Sequence, residues 1–162
     1  MIEIKSLRVD YENVIAVHDV DIVVEPGRIY GLVGPNGAGK TTILKAAAGL
    51  IETTYGDIKI CGHDLALNPH AALREIGFMP DFNPVCENLK VWEYLDVFAL
   101  EYLVEPAKRA KLIGSWMKKT GLLEKSGAFI HTLSRGMRQR LVLARTLLHD
   151  PKVLILDEPA AG

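Results

Sequence analysis

Residues 34–42 read Gly34-Pro35-Asn36-Gly37-Ala38-Gly39-Lys40-Thr41-Thr42, a fit to the spacing G-x-x-x-x-G-K-[ST]. Glycines at these intervals let successive backbone N–H groups turn inward around the oxygens of an anion. A helix opening near Lys40 presents its unsatisfied N–H groups and its positive dipole end to the same anion. The arrangement requires a strand before the loop and a helix after it, and both are legible. Gly27-Arg28 turns into Ile29-Tyr30-Gly31-Leu32-Val33, an apolar run without alternation that predicts a strand buried on both faces. Thr41 to Leu50, rich in Ala and Leu and closed near Gly49, predicts a helix. In such a strand-loop-helix Lys40 reaches the outer phosphates of a triphosphate and the Thr41 hydroxyl coordinates Mg²⁺.

The flanking segments predict an α/β domain. Ile2 and Ile4 alternate with charges, as do Val20, Ile22 and Val24, which predicts two short half-buried strands joined by a polar connection containing Tyr11-Glu12-Asn13. Asn68-Pro69 predicts an N-cap and first helical position, opening a short helix to Glu75, with Ile76–Met79 as a buried strand after it. From Pro80 to about Leu133 the pattern becomes helical throughout. Val91, Leu95, Phe98, Ala99 and Tyr102 fall at helical spacing, and Pro106 starts a second helix that stops near Gly121. Ser134 predicts the cap of a further helix with Leu141, Ala144 and Leu148 facing inward. Met137 stands where a capping box takes Glu or Gln, with Gln139 the nearest substitute.

Val153-Leu154-Ile155-Leu156 predicts a buried strand that delivers Asp157 and Glu158 at its C-terminal end, where open α/β sheets place ligands. Adjacent strand residues point to opposite faces, so the two acids have different jobs. Asp157 suits the Mg²⁺ shell, and Glu158 suits orienting or deprotonating an attacking water.

Composition narrows the classes. Nineteen basic and twenty acidic residues leave a formal charge of −1, which argues against a nucleic-acid binder that lives off phosphate neutralisation and against a polybasic membrane-surface protein. Hydrophobic residues at 49% and charged residues at 24% exclude a disordered chain. Charges interrupt every apolar run short of a membrane span, and MIEIKSLRVD places acids and bases where a signal peptide has a basic start and an apolar core. Cys61 and Cys86 match no zinc spacing and read as reduced structural thiols, and the five histidines (His18, His63, His70, His131, His149) form no ligand spacing.

Three landmarks stand in order: Gly34–Thr42, then Leu133-Ser134-Arg135-Gly136-Met137-Arg138-Gln139, then Leu156-Asp157-Glu158-Pro159. Together they resemble the nucleotide-binding domain of the ATP-binding cassette (ABC) family, whose signature string L-S-G-G-Q is kept here at Leu133, Ser134 and Gly136 and departs at Arg135 and Met137. The resemblance implies a P-loop NTPase core with a mostly parallel sheet, an N-terminal antiparallel β part and an inserted helical subdomain. Within one ATP-binding domain over 1–162 it divides the chain into a first core part (1–80), the helical insertion (81–133), and the signature helix with the acidic strand (134–162). It further implies ATP and Mg²⁺ as ligands, with Gly34, Pro35, Asn36, Gly37, Ala38, Gly39, Lys40, Thr41 and Thr42 around the phosphates. Tyr11 matches the aromatic that stacks on adenine. Thr41, Asp157 and Asp81 lie toward the metal, Asp81 standing where the family usually carries glutamine. Lys40 and Glu158 carry the hydrolysis.

Two cassettes close head to tail in this family, homo- or heterodimeric, so Ser134 and Gly136 contact the ATP held by the partner cassette. The motion drives a separate transmembrane subunit, which places the chain in the cytoplasm, peripheral on the inner face of the cell membrane. Asp81, the Leu89–Leu95 stretch and the signature variant resemble bacterial or archaeal exporter cassettes. Trp92, Tyr94, Phe98 and Tyr102 suit either a docking face or, better for Phe98 and Tyr102, core packing. Lys108, Arg109, Lys111, Lys118 and Lys119 read as a solvated helix face. The family's strings continue beyond Pro159-Ala160-Ala161-Gly162 into an interface loop and a phosphate-contacting histidine, so the chain is expected to be the N-terminal part of a longer cassette. The competing functions are a soluble, non-transport ABC ATPase and a nucleotide-binding remnant without turnover.

Overall fold

The computed structural model describes residues 1–81 and 85–159. The start of the expected helical insertion (82–84) and the last residues after the acidic strand (160–162) lie outside the described residues. The chain forms two compact units, Met1–Ile76 with Lys152–Asp157, and Gly77–Pro151 with Glu158–Gly162.

The first unit is built on a four-stranded antiparallel sheet. β1 (Ile2–Tyr11) and β2 (Val14–Val24) form a hairpin turned by Glu12 and Asn13, longer than the two short strands expected. Register shifts between Ile4 and Leu7 bend the ribbon at Ser6, whose φ of 48° is left-handed and whose N–H donates to Asp21 Oδ1 at 2.7 Å. β3 (Tyr55–Ile60) adds antiparallel to β1, and β4 (His63–Asp64) to β3, giving the order β2-β1-β3-β4. Neither β3 nor β4 is among the expected strands. The signal for β3 is the alternation of Asp57 and Lys59 with Ile58 and Ile60, which are buried and paired with Ile4 and Ile2 of β1.

Helix α1 (Lys40–Ala47) follows the glycine-rich loop, and α2 (Pro69–Arg74) opens with Pro69 at its first position. Asn68 precedes it as N-cap without a side-chain cap bond. The chain leaves this unit at the head of β5 (Ile76–Met79) and re-enters it as β6 (Val153–Leu156). There the Val153 N–H donates to Glu75 O at 2.9 Å, and Lys152 Nζ meets Glu75 Oε1 at 2.9 Å, a hydrogen bond that holds the Lys152 amine above the usual lysine range.

The strand expected at Ile29–Val33 is not formed. Ile29 and Val33 are 101% and 93% exposed, and the segment carries no strand assignment. A strand buried on both faces cannot be made by its own side chains, because its N–H and C=O groups need neighbouring strands on either side. Among the described residues no strand pairs with it.

The second unit is helical, with α3 (Val91–Glu101), α4 (Pro106–Lys119), single 3₁₀ turns at Leu123–Lys125 and Ile130–Thr132, and α5 (Arg135–Thr146). α3 is entered through a cap in which the Lys90 N–H donates to Glu93 Oε2 at 2.8 Å. α4 ends where Gly121 adopts a φ of 67°. Val91, Leu95 and Ala99 bury with Ile113, Leu122, Ile130, Leu141, Ala144 and Leu148 in one cluster, with Phe98 packed at its edge, so the expected inward faces are found except at Tyr102, which lies past the last helical residue of α3 and is exposed. Of the four aromatics considered for docking, Tyr94 is a core residue. Its hydroxyl accepts from Arg145 Nη1 at 3.1 Å, and burial pushes its pKa up. Phe98 packs at the edge of the same cluster under the Arg145 guanidinium, while Trp92 and Tyr102 are exposed. Both cysteines are free. Among the described residues no helix is long and apolar enough to cross a membrane.

Candidate functional site

The loop expected to hold phosphate ends at the first residue of α1. Gly39 is the N-cap of that helix with φ 82° and supplies no side chain to cap it, so the first N–H groups of α1 are left to an external acceptor. Gly37 has a similar φ of 81° but stands in open space. At Gly39 there is none: a Cβ would meet the Ala16 carbonyl oxygen at 2.5 Å, so only glycine brings the loop this close to β2. Between these glycines the Ala38 N–H donates to Pro35 O at 3.2 Å, a turn that carries Asn36 and Gly37 at its exposed tip.

Lys40 Nζ folds back over the loop and donates to Gly34 O at 2.7 Å and Pro35 O at 2.8 Å. The ammonium is therefore held above the loop that leads into the helix N-terminus, an arrangement of positive charge and orphan N–H groups that suits an anion. Beside it the Thr41 hydroxyl donates to Asp157 Oδ1 at 3.2 Å. Asp157 is only 6% exposed at the end of β6, whereas Glu158, the next residue, is exposed and has a left-handed φ of 50°. The two acids thus have different environments, although both follow the last strand residue, Leu156, so strand alternation is not what separates them. Thr42 continues α1.

A hydroxyl and a carboxylate within hydrogen-bond distance form an all-oxygen donor pair, which suits a hard divalent cation of the Mg²⁺ type that draws its remaining ligands from phosphate and water. Among the described residues no group of three or more His, Cys, Asp or Glu gathers to hold a metal by itself. The donor set therefore fits a cation that arrives with a polyphosphate.

The other expected site residues lie on their own elements. Tyr11 lies at the end of β1, 47% exposed and paired with Val14. Asp81 is exposed in a bend after β5. In the second unit Ser134 is the N-cap of α5 and its Oγ accepts from the Met137 N–H at 3.3 Å, so half of the capping box persists although Met137 cannot return the bond. Gln139 does not take that part, because its Nε2 donates instead to Pro159 O. Gly136 lies in the exposed first turn, where a Cβ would meet nothing within 4 Å. Arg138 was not singled out by the sequence pattern. Its guanidinium joins Glu87 Oε1, His131 O and Leu133 O at 2.6, 3.0 and 3.2 Å.

A family model described as "ABC transporter" matches residues 17–161. The Nod factor export ATP-binding protein I of Cupriavidus metallidurans is 33% identical over 162 residues, 100% of this chain and 54% of that protein. The protein of the same name from Burkholderia pseudomallei is 38% identical over 162 residues, with 99% and 53% covered. A solved structure described as "Structure of ATP binding subunit of ABC transporter" matches with a TM-score of 0.88 at 31% identity, covering 99% of this chain and 67% of that one. The chain spans about half the length of the curated relatives it matches.

Proposed function

The chain belongs to the ABC transporter family, and from that premise we propose that it binds and hydrolyses ATP as the energy-coupling subunit of an ABC transporter. The observation that carries this reading is the Thr41–Asp157 hydrogen bond, which unites the phosphate-binding helix with the acidic strand at one point. Gly34 through Thr42 cradle the phosphates, and Lys40 exchanges the carbonyls of Gly34 and Pro35 for outer phosphate oxygens. Thr41 and Asp157 hold the Mg²⁺, which when bound neutralises charge developing on the phosphate oxygens. Glu158, exposed beyond the buried Asp157, orients the attacking water and takes its proton.

Tyr11 stacks on the adenine, and Asp81 senses the metal and relays to the membrane partner. Ser134 and Gly136, at the open N-terminus of α5, bind the γ-phosphate held by a second cassette. Residues 1–80 and 134–162 supply the nucleotide-binding parts, and 81–133 the helical subdomain, of one ATP-binding domain. The partner driven by this cycle is a transmembrane subunit, and the protein lies on the cytoplasmic face of the membrane. The names of the relatives support export as the direction.

The test is titration of Mg-ATP into the purified chain and its Lys40→Ala variant, with phosphate release followed in parallel. Binding by the parent that is lost in Lys40→Ala, with turnover lost in Glu158→Gln while binding is kept, supports the reading. Equal affinity of parent and Lys40→Ala refutes the phosphate-loop assignment. Co-purification with ribosomes or DNA rather than a membrane protein refutes the transport role.

A further inference from the structure

The Arg138 side chain does not extend into solvent as a fourth residue of an exposed first turn would. It curls back past the start of its own helix and spends its planar fork on three acceptors: Glu87 Oε1 at 2.6 Å, His131 O at 3.0 Å and, through Nε, Leu133 O at 3.2 Å. His131 and Leu133 are the residues that lead into Ser134, so two of the three bonds fix the backbone immediately before the N-cap. The third reaches the segment 85–90, to which the His131 and Ile130 N–H groups also donate, at Glu87 O and Leu89 O (3.2 and 2.9 Å).

Helix stability does not explain this placement. A cation in the opening turn opposes the helix dipole, and the ion pair with Glu87 is exposed on both sides (34% and 54%), a setting in which such pairs contribute little. What the fork supplies is direction. Arg presents parallel donors in a rigid plane, which a lysine cannot reproduce.

We infer that Arg138 is a positioning residue that sets the N-terminus of α5, with Ser134 and Gly136, and ties it to the segment 85–90. This rests on the reading that the N-terminus of α5 binds phosphate across a cassette pair. Movement imposed on the segment 85–90 is then passed through Glu87 and Arg138 to the groups that contact ATP, while the chain's own phosphate loop is left unaffected. Because the backbone bonds from Ile130 and His131 remain when Arg138 is replaced, the variants retain their fold.

The experiment compares Arg138→Ala, Arg138→Lys and Glu87→Gln in the full chain, by Mg-ATP affinity, kcat for phosphate release, and amide hydrogen exchange over residues 129–137. Arg138→Ala and Arg138→Lys should both lower kcat by tenfold or more, leave Mg-ATP affinity within twofold, and speed exchange over 129–137. Glu87→Gln, which keeps an acceptor, should stay within threefold of the parent. A Lys variant that matches the parent in exchange and turnover overturns the inference, since charge alone would then suffice. So does a loss of Mg-ATP affinity in step with kcat, which marks general damage. If the parent itself releases no phosphate, the hydrolytic reading fails, and unchanged exchange in Arg138→Lys still decides against the positioning role.

Discussion

Gly37 and Gly39 share nearly the same backbone conformation, φ 81° and 82°, but differ in what surrounds them, which separates strain from collision. Alanine at either position adopts a left-handed backbone at a cost of about 1–2 kcal/mol, reduced by about 0.4–1 kcal/mol because the unfolded chain is also restricted. At Gly37 nothing lies within 4 Å of the new methyl, so Gly37→Ala should cost no more than about 1.6 kcal/mol. At Gly39 the methyl stands 2.5 Å from the Ala16 carbonyl and 3.3 Å from Val17 Cγ2. The carbonyl is backbone of β2, at the register shift between Val9↔Val17 and Asp10↔Ile15, and gives way less readily than the end of a flexible side chain, which adds roughly 1–3 kcal/mol of overpacking. Gly39→Ala should therefore cost about 1–3 kcal/mol more than Gly37→Ala, which lowers its Tm by a further ~2–12 °C at roughly 2–4 °C per kcal/mol for a chain of this size. Thermal unfolding followed by circular dichroism reads both, and Mg-ATP titration should show the larger loss for Gly39→Ala. Equal Tm losses in the two variants would refute the reasoning, since backbone strain would then account for everything.

The remaining expectations concern the metal site, the helical core and high pH. Asp157→Asn should reduce the gain in ATP affinity conferred by Mg²⁺ on the order of tenfold, with metal-free affinity little changed, as read by titration with and without the cation. Leu141→Ala, which empties a fully buried position in the helical cluster, should cost about 2–5 kcal/mol in urea unfolding. Tyr94 has its pKa raised by burial, so its contribution is complete below pH 10.0 and is lost as pH rises from there through the folded value. Tyr94→Phe should flatten the loss of stability above pH 10 while costing about 1 kcal/mol at neutral pH, because the Arg145 donor loses its acceptor.

Local chemistry was legible where the chain itself supplies both partners. Gly34–Lys40 announces a loop and helix start, Pro69 and Pro106 open helices, Gly121 closes one, and the spacing of Val91, Leu95 and Ala99 places a buried face. Ser134 caps its helix as its position demands. Contacts between distant segments were not legible. Ile29–Val33 has the composition of an inner strand, but composition cannot provide the strands that must flank it. β3 hides in a six-residue alternation shortened by Gly56, and it becomes a strand because β1 offers a free edge. Tyr94 is polar enough to suit a surface, and its burial depends on an arginine 51 residues further on. At the candidate site the pattern foretold Thr41 and Asp157 as neighbours, while the fork of Arg138 has no periodic signal because its acceptors are mostly backbone carbonyls.

The hydrogen bond between Thr41 and Asp157 spans 116 residues of chain. Closing so long a loop carries an entropic cost that local bonds in the phosphate loop do not face, and during synthesis the N-terminal part folds first. A nascent chain thus presents its anion-binding helix well before the carboxylate that completes the cation site has left the ribosome. On the proposed function, the order of emergence would separate the two halves of the chemistry in time: an early product stalled before β6 would present Lys40 and the N-terminus of α1 to a phosphate but lack the Asp157 oxygen. On the same proposal, competence for metal-assisted turnover would be a late event in biosynthesis, and ribosome-bound chains of increasing length should show nucleotide capture before they show any dependence on Mg²⁺.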